Sequence, residues 1–466
     1  MGLIRHILPY LLVLFFLYKA NKQPLFLLGV PFLMFMSNSI FFENAKPFQI
    51  PGSIFYQLIF IWLVLLWLLS KTFSKNRLPK EIIELKLNPT DFCVIVLIVI
   101  SIMDFGRAIM NYYPTITGIW EEFWIQISLF LSYFVIRNWI SSNKPEVVVS
   151  FLFSIVMVNS IASFLYVLHQ GFHFNIYVGE EYISESFQGQ TITRTFWFMP
   201  QFLFFSIAFL LVFTKKYSFV SIGLLLVNLL AIVISYTISY LVIAILILII
   251  YFVLNGLKNG KLIVALKNLT IYAILGMAGI FILSKLLPAN MAFLMSRISE
   301  HTETQYTLKE PNDLDVRFTN TAIMISQIDG DKKLLGMGPV TKIQATKVDE
   351  MQGTAADMAW SGVIFRWGFI GLTLFGLIYI FSSFRAFNLF IKSNGIISDL
   401  ALMLLLYIIA QFIESWVSWT FLSGHGLAIG FWYFAVLSAL CGFNKTNTFV
   451  VDKNGYSPSL SKLIFE

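Results

Sequence analysis

Charged residues are scarce in this chain. Asp, Glu, Lys and Arg together make up 12% of its 466 residues, whereas a soluble domain carries about 25% charged residues. Hydrophobic residues reach 58%, and the mean hydropathy is +0.78. The apolar residues gather in long runs, and a helix needs about 20 of them to cross a bilayer. The composition argues against an ordinary soluble domain and predicts a polytopic membrane protein.

Several motifs that carry chemistry are missing as well. Cys93 and Cys441 lie in apolar runs near opposite chain ends, where buried thiols are expected. The five histidines form no ligand cluster, so we expect no metal and no cofactor. The sequence has no phosphate-binding glycine loop, no dinucleotide fingerprint, no channel filter and no transporter-like internal repeat. The first apolar run lacks a cleavage site, so it is expected to act as the targeting signal itself.

The apolar runs predict an all-α bundle of about 12–13 transmembrane helices. Residues 1–287 form an N-terminal bundle of about 10 spans, interrupted by a loop near 170–196. A large hydrophilic loop with short helices follows at 288–359. Further spans fill 360–442, and 443–466 is a tail. The predicted spans lie near 7–20, 25–42, 54–70, 92–105, 120–137, 147–168, 196–214, 217–235, 237–256, 268–287, 360–382, 398–417 and 425–442.

Basic residues are distributed unevenly between the short loops. One alternate set carries most of them, and the opposite short loops hold only Lys46, Arg107 and Arg194. Because basic loops stay in the cytoplasm, the tail is expected there, and loops 170–196 and 288–359 face outward. The formal net charge of +7 is therefore interpreted as an insertion signal. Spread over many loops, it does not predict nucleic-acid binding.

One stretch of the outward loop, "DVRFTNTAIMISQIDGDKKLLGMGP" from Asp315 to Pro339, is polar and patterned. Phe318, Ala322 and Ile325 repeat at helical spacing, which predicts an amphipathic helix against the membrane domain. Gly330 is the expected stop of that helix. The segment therefore predicts a helix and a glycine turn outside the membrane.

Arg317 lies in the first turn of this helix, where the helix dipole favours acids. Two roles are open for it. It is either a solvated arginine paired with Asp313 or Asp315, or a clamp for an anion, because a guanidinium group binds phosphate through two hydrogen bonds.

Three more polar residues lie at the predicted outer boundary. Arg194 is the only Lys or Arg in loop 170–196, and it is either an interfacial anchor or part of a site. Asp357 immediately precedes a span, so it either caps that helix or acts as a general base. Arg366 lies about two turns into the same span, where a charge usually faces a cavity or a partner.

Short motifs in these segments resemble the O-antigen polymerase and O-antigen ligase superfamily. "TRTFWFMPQ" is similar to the family's arginine and its proline pair at the start of a span. The Arg317 helix resembles the family's arginine-started helix, and its turn matches the following glycine turn at Gly336 and Gly338, with Val340 in the third glycine place. "DMAWSGVIFRWGFIG" is similar to the next span, whose paired glycines are Gly368 and Gly371.

Two departures favour a polymerase over a ligase. Asp357 stands where ligases carry a histidine, and the turn Ile234 to Val242 lacks the family's serine–arginine pair, with Tyr240 nearest the arginine place. The resemblance implies a GT-C-like membrane glycosyltransferase of the bacterial inner membrane that performs a metal-independent, inverting transfer. Its donor and acceptor would be undecaprenyl-diphosphate-linked oligosaccharides, and a chain-length regulator is a further expected partner.

The resemblance also implies roles for individual residues. Asp357, Arg317 and Arg194 are the catalytic candidates, and Arg194, Arg317, Arg366, Gly336 and Gly338 are the candidates for binding diphosphate or sugar. Two alternatives stay open. One is a ligase that transfers the polymer to another acceptor. The other is a flippase for lipid-linked oligosaccharide, against which the scarcity of charge deep in the spans argues.

Overall fold

The structure is a computed structural model. It describes residues 2–35, 55–73, 87–111, 116–172, 174, 181–187, 190–195, 200–213, 219–306, 359–417 and 430–440. Between 307 and 358 it describes 319, 322, 323, 325, 326, 328, 330–336 and 338.

Helices make up most of the described chain. They are α1 (Gly2–Lys22), α2 (Gly29–Phe35), α3 (Phe55–Phe73), α4 (Pro89–Asn111), α5 (Ile116–Ser141), α6 (Pro145–Phe172), α7 (Pro200–Phe213), α8 (Phe219–Ile234), α9 (Ile238–Lys258), α10 (Leu262–Leu286), α11 (Pro288–Tyr306), α12 (Asp331–Leu335), α13 (Ala359–Lys392), α14 (Gly395–Val417) and α15 (Gly430–Leu440). A 3-10 turn, Pro24–Leu28, joins α1 to α2.

The helices confirm a multi-pass membrane protein. In the described residues, 7 helices are long and apolar enough to cross a bilayer, namely α4, α5, α6, α9, α10, α13 and α14. Shorter apolar helices occupy Pro24–Met34, Gln57–Ser70, Phe202–Phe213, Phe219–Ile234 and Gly430–Leu440. All lie within predicted spans, except that the first begins one residue early. The all-α architecture is therefore confirmed in its coarse form, whereas the count of 12–13 stays a prediction.

The predicted outward loop 170–196 contains a β-hairpin, which the all-α prediction did not include. Strands β1 (Glu181–Phe187) and β2 (Gln190–Thr195) pair antiparallel, and Arg194 lies opposite Ile183. The sequence of β2, QTITRT, is rich in the β-branched residues that favour strands. The hairpin gives Arg194 a defined backbone position close to α6, which β2 contacts.

Helix α4 begins at a reciprocal cap written in the sequence "NPTD". Asn88 Oδ1 accepts a hydrogen bond from the Asp91 N–H at 3.0 Å, and Asp91 Oδ2 accepts one from the Asn88 N–H at 2.7 Å. Pro89 fills the first helical position, where its missing N–H costs nothing. Local sequence alone therefore sets the start of the helix that later carries Asp104 and Arg107.

Aromatic rings fill the centre of the bundle. Tyr433 of α15 stacks on Phe205 of α7 with ring centroids 4.1 Å apart, and it meets Tyr407 of α14 at 4.5 Å. On the other side of α15, Trp432 lies 4.6 Å from Phe32 of α2. Such contacts contribute about 0.5–1.5 kcal/mol per pair beyond area burial. Helix α2, early in the chain, and helix α15, late in the chain, therefore pack in the same core.

A buried polar network ties α6, α7 and α8 together. The Asn159 side-chain amide donates to Ser206 Oγ at 2.9 Å and to Asn228 Oδ1 at 3.2 Å. The Asn228 amide in turn donates to Ser160 Oγ at 2.8 Å. Hydrogen bonds between membrane helices contribute on average about 0.6 kcal/mol each. The network therefore specifies the register of the three helices more than it stabilises them.

One end of the bundle collects basic residues from separate predicted cytoplasmic loops. Arg137, near the end of α5, contacts Asp91 at the start of α4 at 2.6 Å. Lys258 ends α9 and donates to the carbonyls of Phe390 and Ser393 at 2.5 and 2.8 Å, which satisfies the last turn of α13. We call this the basic end. It lies opposite the end at which Asp104 and Arg107 are found.

Candidate functional site

The glycine turn after α12 lies directly on helix α13. Helix α12 ends at Leu335. The N–H of the next residue, Gly336, donates to the Lys332 carbonyl at 2.7 Å, and Gly336 has a φ of +78°. A Cβ atom at Gly336 would lie 2.4 Å from the carbonyl carbon and oxygen of Arg366. Only glycine permits this contact, because any side chain would overlap the α13 backbone.

Gly338 extends the same turn to a second helix. Its N–H donates to the Arg366 carbonyl at 3.1 Å, and its φ is +77°. A Cβ atom there would meet Cβ of Asp104 at 3.3 Å. The two glycines that the sequence singled out therefore lie where the outward loop meets α4 and α13.

Helix α13 is broken at the contact with the turn. Gly368 has φ +62° and ψ −163°, so the helix, which begins at Ala359, kinks about two and a half turns after its start. Breaking the helical ladder leaves nearby carbonyls without their helical donors, and the Arg366 carbonyl accepts from Gly338 instead. A Cβ atom at Gly368 would lie 2.2 Å from the Leu334 carbonyl oxygen and 2.6 Å from the Gly336 nitrogen. The three glycines thus form one close-packed backbone contact.

Arg107 of α4 fastens the turn from its other side. Its guanidinium Nη2 donates to the Gly336 carbonyl oxygen at 2.5 Å, while Nη1 lies 3.6 Å from Oδ1 of Asp104. The Asp104 side chain is 1% exposed, and neither of its carboxylate oxygens accepts a hydrogen bond from the described residues. Arg107 therefore supplies the positive charge that offsets a buried carboxylate.

Trp367 anchors the broken segment of α13 in the core. Its ring is fully buried, and its indole N–H donates to Ser101 Oγ of α4 at 3.2 Å. The ring also lies 5.4 Å from Phe375 and 6.1 Å from Phe130. These contacts hold α4 and α13 together beside the turn, which keeps Arg366, half-buried just before Trp367, in a defined position.

The structure brings together three of the residues predicted for the site. Gly336, Gly338 and Arg366 meet at the contact between the outward loop and α13. Arg194 lies on strand β2, and nothing is described of its side chain. Arg317 and Asp357 lie outside the described residues. Gly330, the expected stop of the Arg317 helix, directly precedes one further helical turn, α12, and its role as the stop stays a prediction.

Sequence reasoning passed over Asp104 and Arg107 as members of the site. Both were visible as charges near a span end, and their i, i+3 spacing would have indicated an ion pair on one helix face. Nothing in the sequence indicated that Gly336, more than 200 positions later, would meet them. Conversely, Tyr240, nearest the family's arginine place, is 3% exposed and packs against Phe204 at 5.7 Å, so its ring belongs to the core.

The α8–α9 turn is held against the start of α11. Tyr236 has a φ of +53°, yet its side chain is 1% exposed. The Asn290 amide donates to its hydroxyl, and its ring lies 5.3 Å from Phe293. Burial raises the pKa of Tyr236 to about 12. This turn is a packed support for α11.

Among the described residues, the site offers one cation held in place, the Arg107 guanidinium, and one buried acid, Asp104. The guanidinium of Arg107 is held by a carbonyl and a carboxylate, and Arg366 follows on the neighbouring helix. Fixed cations stabilise negative charge that develops on a phosphate leaving group.

The chain was also compared with known proteins. No model of a known protein family matches it, and no curated protein matches it either. The resemblance to the polymerase and ligase superfamily therefore stays a hypothesis carried by its short motifs.

Replacing Arg107 by glutamine should loosen the docked turn, because Asp104 would then be buried without its cation. We expect Asp104→Asn to restore part of the lost stability, with a coupling energy of about 0.5–3 kcal/mol between the two positions. Thermal unfolding of the wild type, both single variants and the double variant in one detergent measures this coupling. Strictly additive losses would contradict the ion pair.

Proposed function

We propose that this protein is a glycosyltransferase that polymerises undecaprenyl-diphosphate-linked oligosaccharide units into a surface polysaccharide. The reaction would take place at the outer face of the inner membrane. The observation that carries the proposal is the turn of Gly336 and Gly338, docked on α4 and α13 beside Arg107 and Arg366. The resemblance implies that this turn belongs to the segment that acts on the lipid diphosphate.

The orientation of the proposed reaction follows from loop charge. The basic end carries Arg137 and Lys258, and basic loops stay in the cytoplasm. The glycine turn lies at the opposite end, which supports a site at the outer surface. Lipid-linked substrates would enter sideways between helices, with their sugars under the outward loop and away from water.

In the proposed transfer, a hydroxyl oxygen of the acceptor sugar attacks the anomeric carbon of the donor glycan. The bond from that carbon to the diphosphate breaks, and undecaprenyl diphosphate leaves with both electrons. Arg194, Arg317 and Arg366 would stabilise the charge on the leaving diphosphate. Arg107, held in place by Asp104, adds a further fixed cation.

The acceptor hydroxyl must give up its proton during the transfer. Asp357, which immediately precedes α13 in the sequence, is the proposed general base. Partial burial at the membrane boundary would bring its proton affinity closer to that of a sugar hydroxyl in the transition state. No metal ion is needed for this proton transfer.

The proposed roles predict large losses of activity from single substitutions. Arg317→Ala should slow polymer formation by about 10²–10³-fold, since one fixed donor to a developing anion contributes about 2.7–4 kcal/mol. Asp357→Asn should abolish polymer formation, because it removes the proposed general base. Each variant is assayed by gel analysis of the glycan in a deletion strain, after expression and membrane insertion are verified.

Matched controls come from the same loop. Lys333→Ala removes an exposed cation of α12, and Asp349→Asn removes another acid, so both should keep normal polymer. A glycan that stops at a single repeat unit supports a polymerase. Polymer that accumulates on the carrier but is not transferred would indicate a ligase. Loss of lipid-linked units from the outer face would indicate a flippase. Polymer of normal length from both Arg317→Ala and Asp357→Asn would refute the assigned site.

A further inference from the structure

A cleft of about 320 Å³ opens at the basic end, away from the glycine turn. It lies between the first residues of α4 and the last turns of α13. Its lining residues are Pro89, Thr90, Phe381, Phe384, Arg385, Asn388, Leu389 and Lys392. Neither the sequence motifs nor the proposed transfer makes use of this cleft.

Two positive charges line the cleft, and no acid is among its described lining residues. Arg385, Asn388 and Lys392 follow at i, i+3 and i+7 on one face of α13, so their side chains point the same way. Asp91 follows Thr90 in α4, but it lies outside the lining of the cleft. Its carboxylate is paired with the Arg137 guanidinium at 2.6 Å and accepts a hydrogen bond from the Tyr133 hydroxyl at 2.7 Å. Within the described part of the chain, Arg385 and Lys392 form no ion pair.

Apart from Thr90, the remaining lining residues of the cleft are apolar. Leu389 is buried at its base, and Phe384 is 68% exposed at its edge. Phe381 lies one turn before Arg385 on the same face. A cationic pocket continued by exposed aromatic rings on a membrane-spanning helix matches a charged headgroup followed by an acyl chain.

Lys392 alone has a simpler explanation, because a cation in the last turn of a helix stabilises the helix dipole. That explanation does not extend to Arg385, about two turns earlier. Nor is the end of α13 short of a partner, since Lys258 donates to the carbonyls of Phe390 and Ser393. The pair of cations in one cleft therefore calls for an anionic ligand.

We propose that this cleft binds the headgroup of an anionic phospholipid from the cytoplasmic leaflet. The phosphate meets the guanidinium of Arg385, whose planar fork suits phosphate oxygens, and the ammonium of Lys392. An acyl chain runs along Phe381 and Phe384 into the bilayer. The leaflet assignment follows from the basic end. The binding site is independent of the proposed sugar transfer at the opposite end.

The test is binding of phosphatidylglycerol to the purified full-length protein, followed by native mass spectrometry in a zwitterionic detergent. The double variant Arg385→Gln, Lys392→Gln should bind phosphatidylglycerol about 30-fold more weakly, as expected for two charges near a lipid surface. Phosphatidylcholine, titrated in parallel, should bind weakly to both proteins. The charge-preserving variant Arg385→Lys, Lys392→Arg should retain binding, which separates the loss of charge from misfolding.

A control variant removes the same net charge at the same end. Lys144→Gln, Lys267→Gln changes two exposed lysines that do not line the cleft, and it should bind phosphatidylglycerol as the wild type does. An equal loss in the control and test variants would overturn the proposal, because general charge would then explain binding. Inorganic phosphate, added at the same concentration as phosphatidylglycerol, should not displace the lipid. Displacement would also overturn the proposal, since the site would then bind a free anion.

Discussion

Gly368→Ala should eliminate polymer formation and lower the thermal stability of the protein. A residue with φ +62° and ψ −163° lies in a region reserved almost entirely for glycine, and a non-glycine residue there costs about 1–3 kcal/mol. The added methyl group would also lie 2.2 Å from the Leu334 carbonyl oxygen. Both effects act on the contact that holds Gly336 and Gly338 on α13.

The added methyl group can be accommodated in only two ways. Either α12 and its glycine turn move away from α13, or α13 straightens and moves Trp367 off Ser101. Each response displaces Arg366 relative to Arg107, which would separate the cations of the proposed site. Gel analysis of the glycan and the melting temperature of the purified protein measure the two consequences.

Gly376→Ala is the matched control on the same helix. Among the described residues, no atom outside the adjoining backbone of the helix lies within 4 Å of a Cβ atom built at Gly376, and Gly376 is not among the positive-φ glycines. Since alanine favours helix over glycine by about 1 kcal/mol, this variant should be at least as stable as the wild type and make normal polymer. Normal polymer and stability in Gly368→Ala would show that the docked turn is not required.

Arg137→Gln should produce the largest loss of stability at the basic end, about 3–5 kcal/mol. Asp91 is fully buried, and Arg137 supplies its only ion pair among the described residues, with Nη1 to Oδ2 at 2.6 Å. Asp91 also accepts from the Tyr133 hydroxyl and the Asn88 N–H, so it cannot turn away to another cation. Removing the arginine strands the carboxylate in a low-dielectric interior.

A second substitution separates the stranded charge from lost packing. Asp91→Asn on top of Arg137→Gln should recover much of the stability, because the amide is neutral and can still accept from Tyr133. Equilibrium unfolding in bicelles measures the free energy of each variant, with the exposed Lys144→Gln as a control for a basic residue in the same region. Failure of Asp91→Asn to rescue would mean that Arg137 acts through its aliphatic stem rather than its charge.

The helices and their cores were largely predictable from sequence. Long apolar runs identified the regions of α4 to α10, α13 and α14, because hydrocarbon requires every backbone polar group to be paired within a helix. The start of α4 was also encoded locally, in the cap formed by Asn88 and Asp91. The hairpin of β1 and β2 was missed, since short strands outside the membrane leave only a weak signal in β-branched residues.

The site was predictable only in part. Gly336 and Gly338 stood out as a turn motif, but their partners could not be read from local pattern. Asp104 and Arg107 come from a helix that ends more than 200 positions before the turn. The kink at Gly368 was equally hidden, because glycines are common inside membrane helices and do not by themselves predict a break.

Composition and loop charge by themselves determined that this is a multi-pass helical membrane protein, because both are set by the transfer of side chains between water and lipid. They also indicated the polar loop that meets the membrane domain. Only the tertiary structure decided which helices that loop touches. Close backbone contact at Gly336, Gly338 and Gly368 joined the loop to α13, and the hydrogen bond from Arg107 joined it to α4. Such contacts depend on distances between segments far apart in the chain, and these distances exist only once the chain has folded.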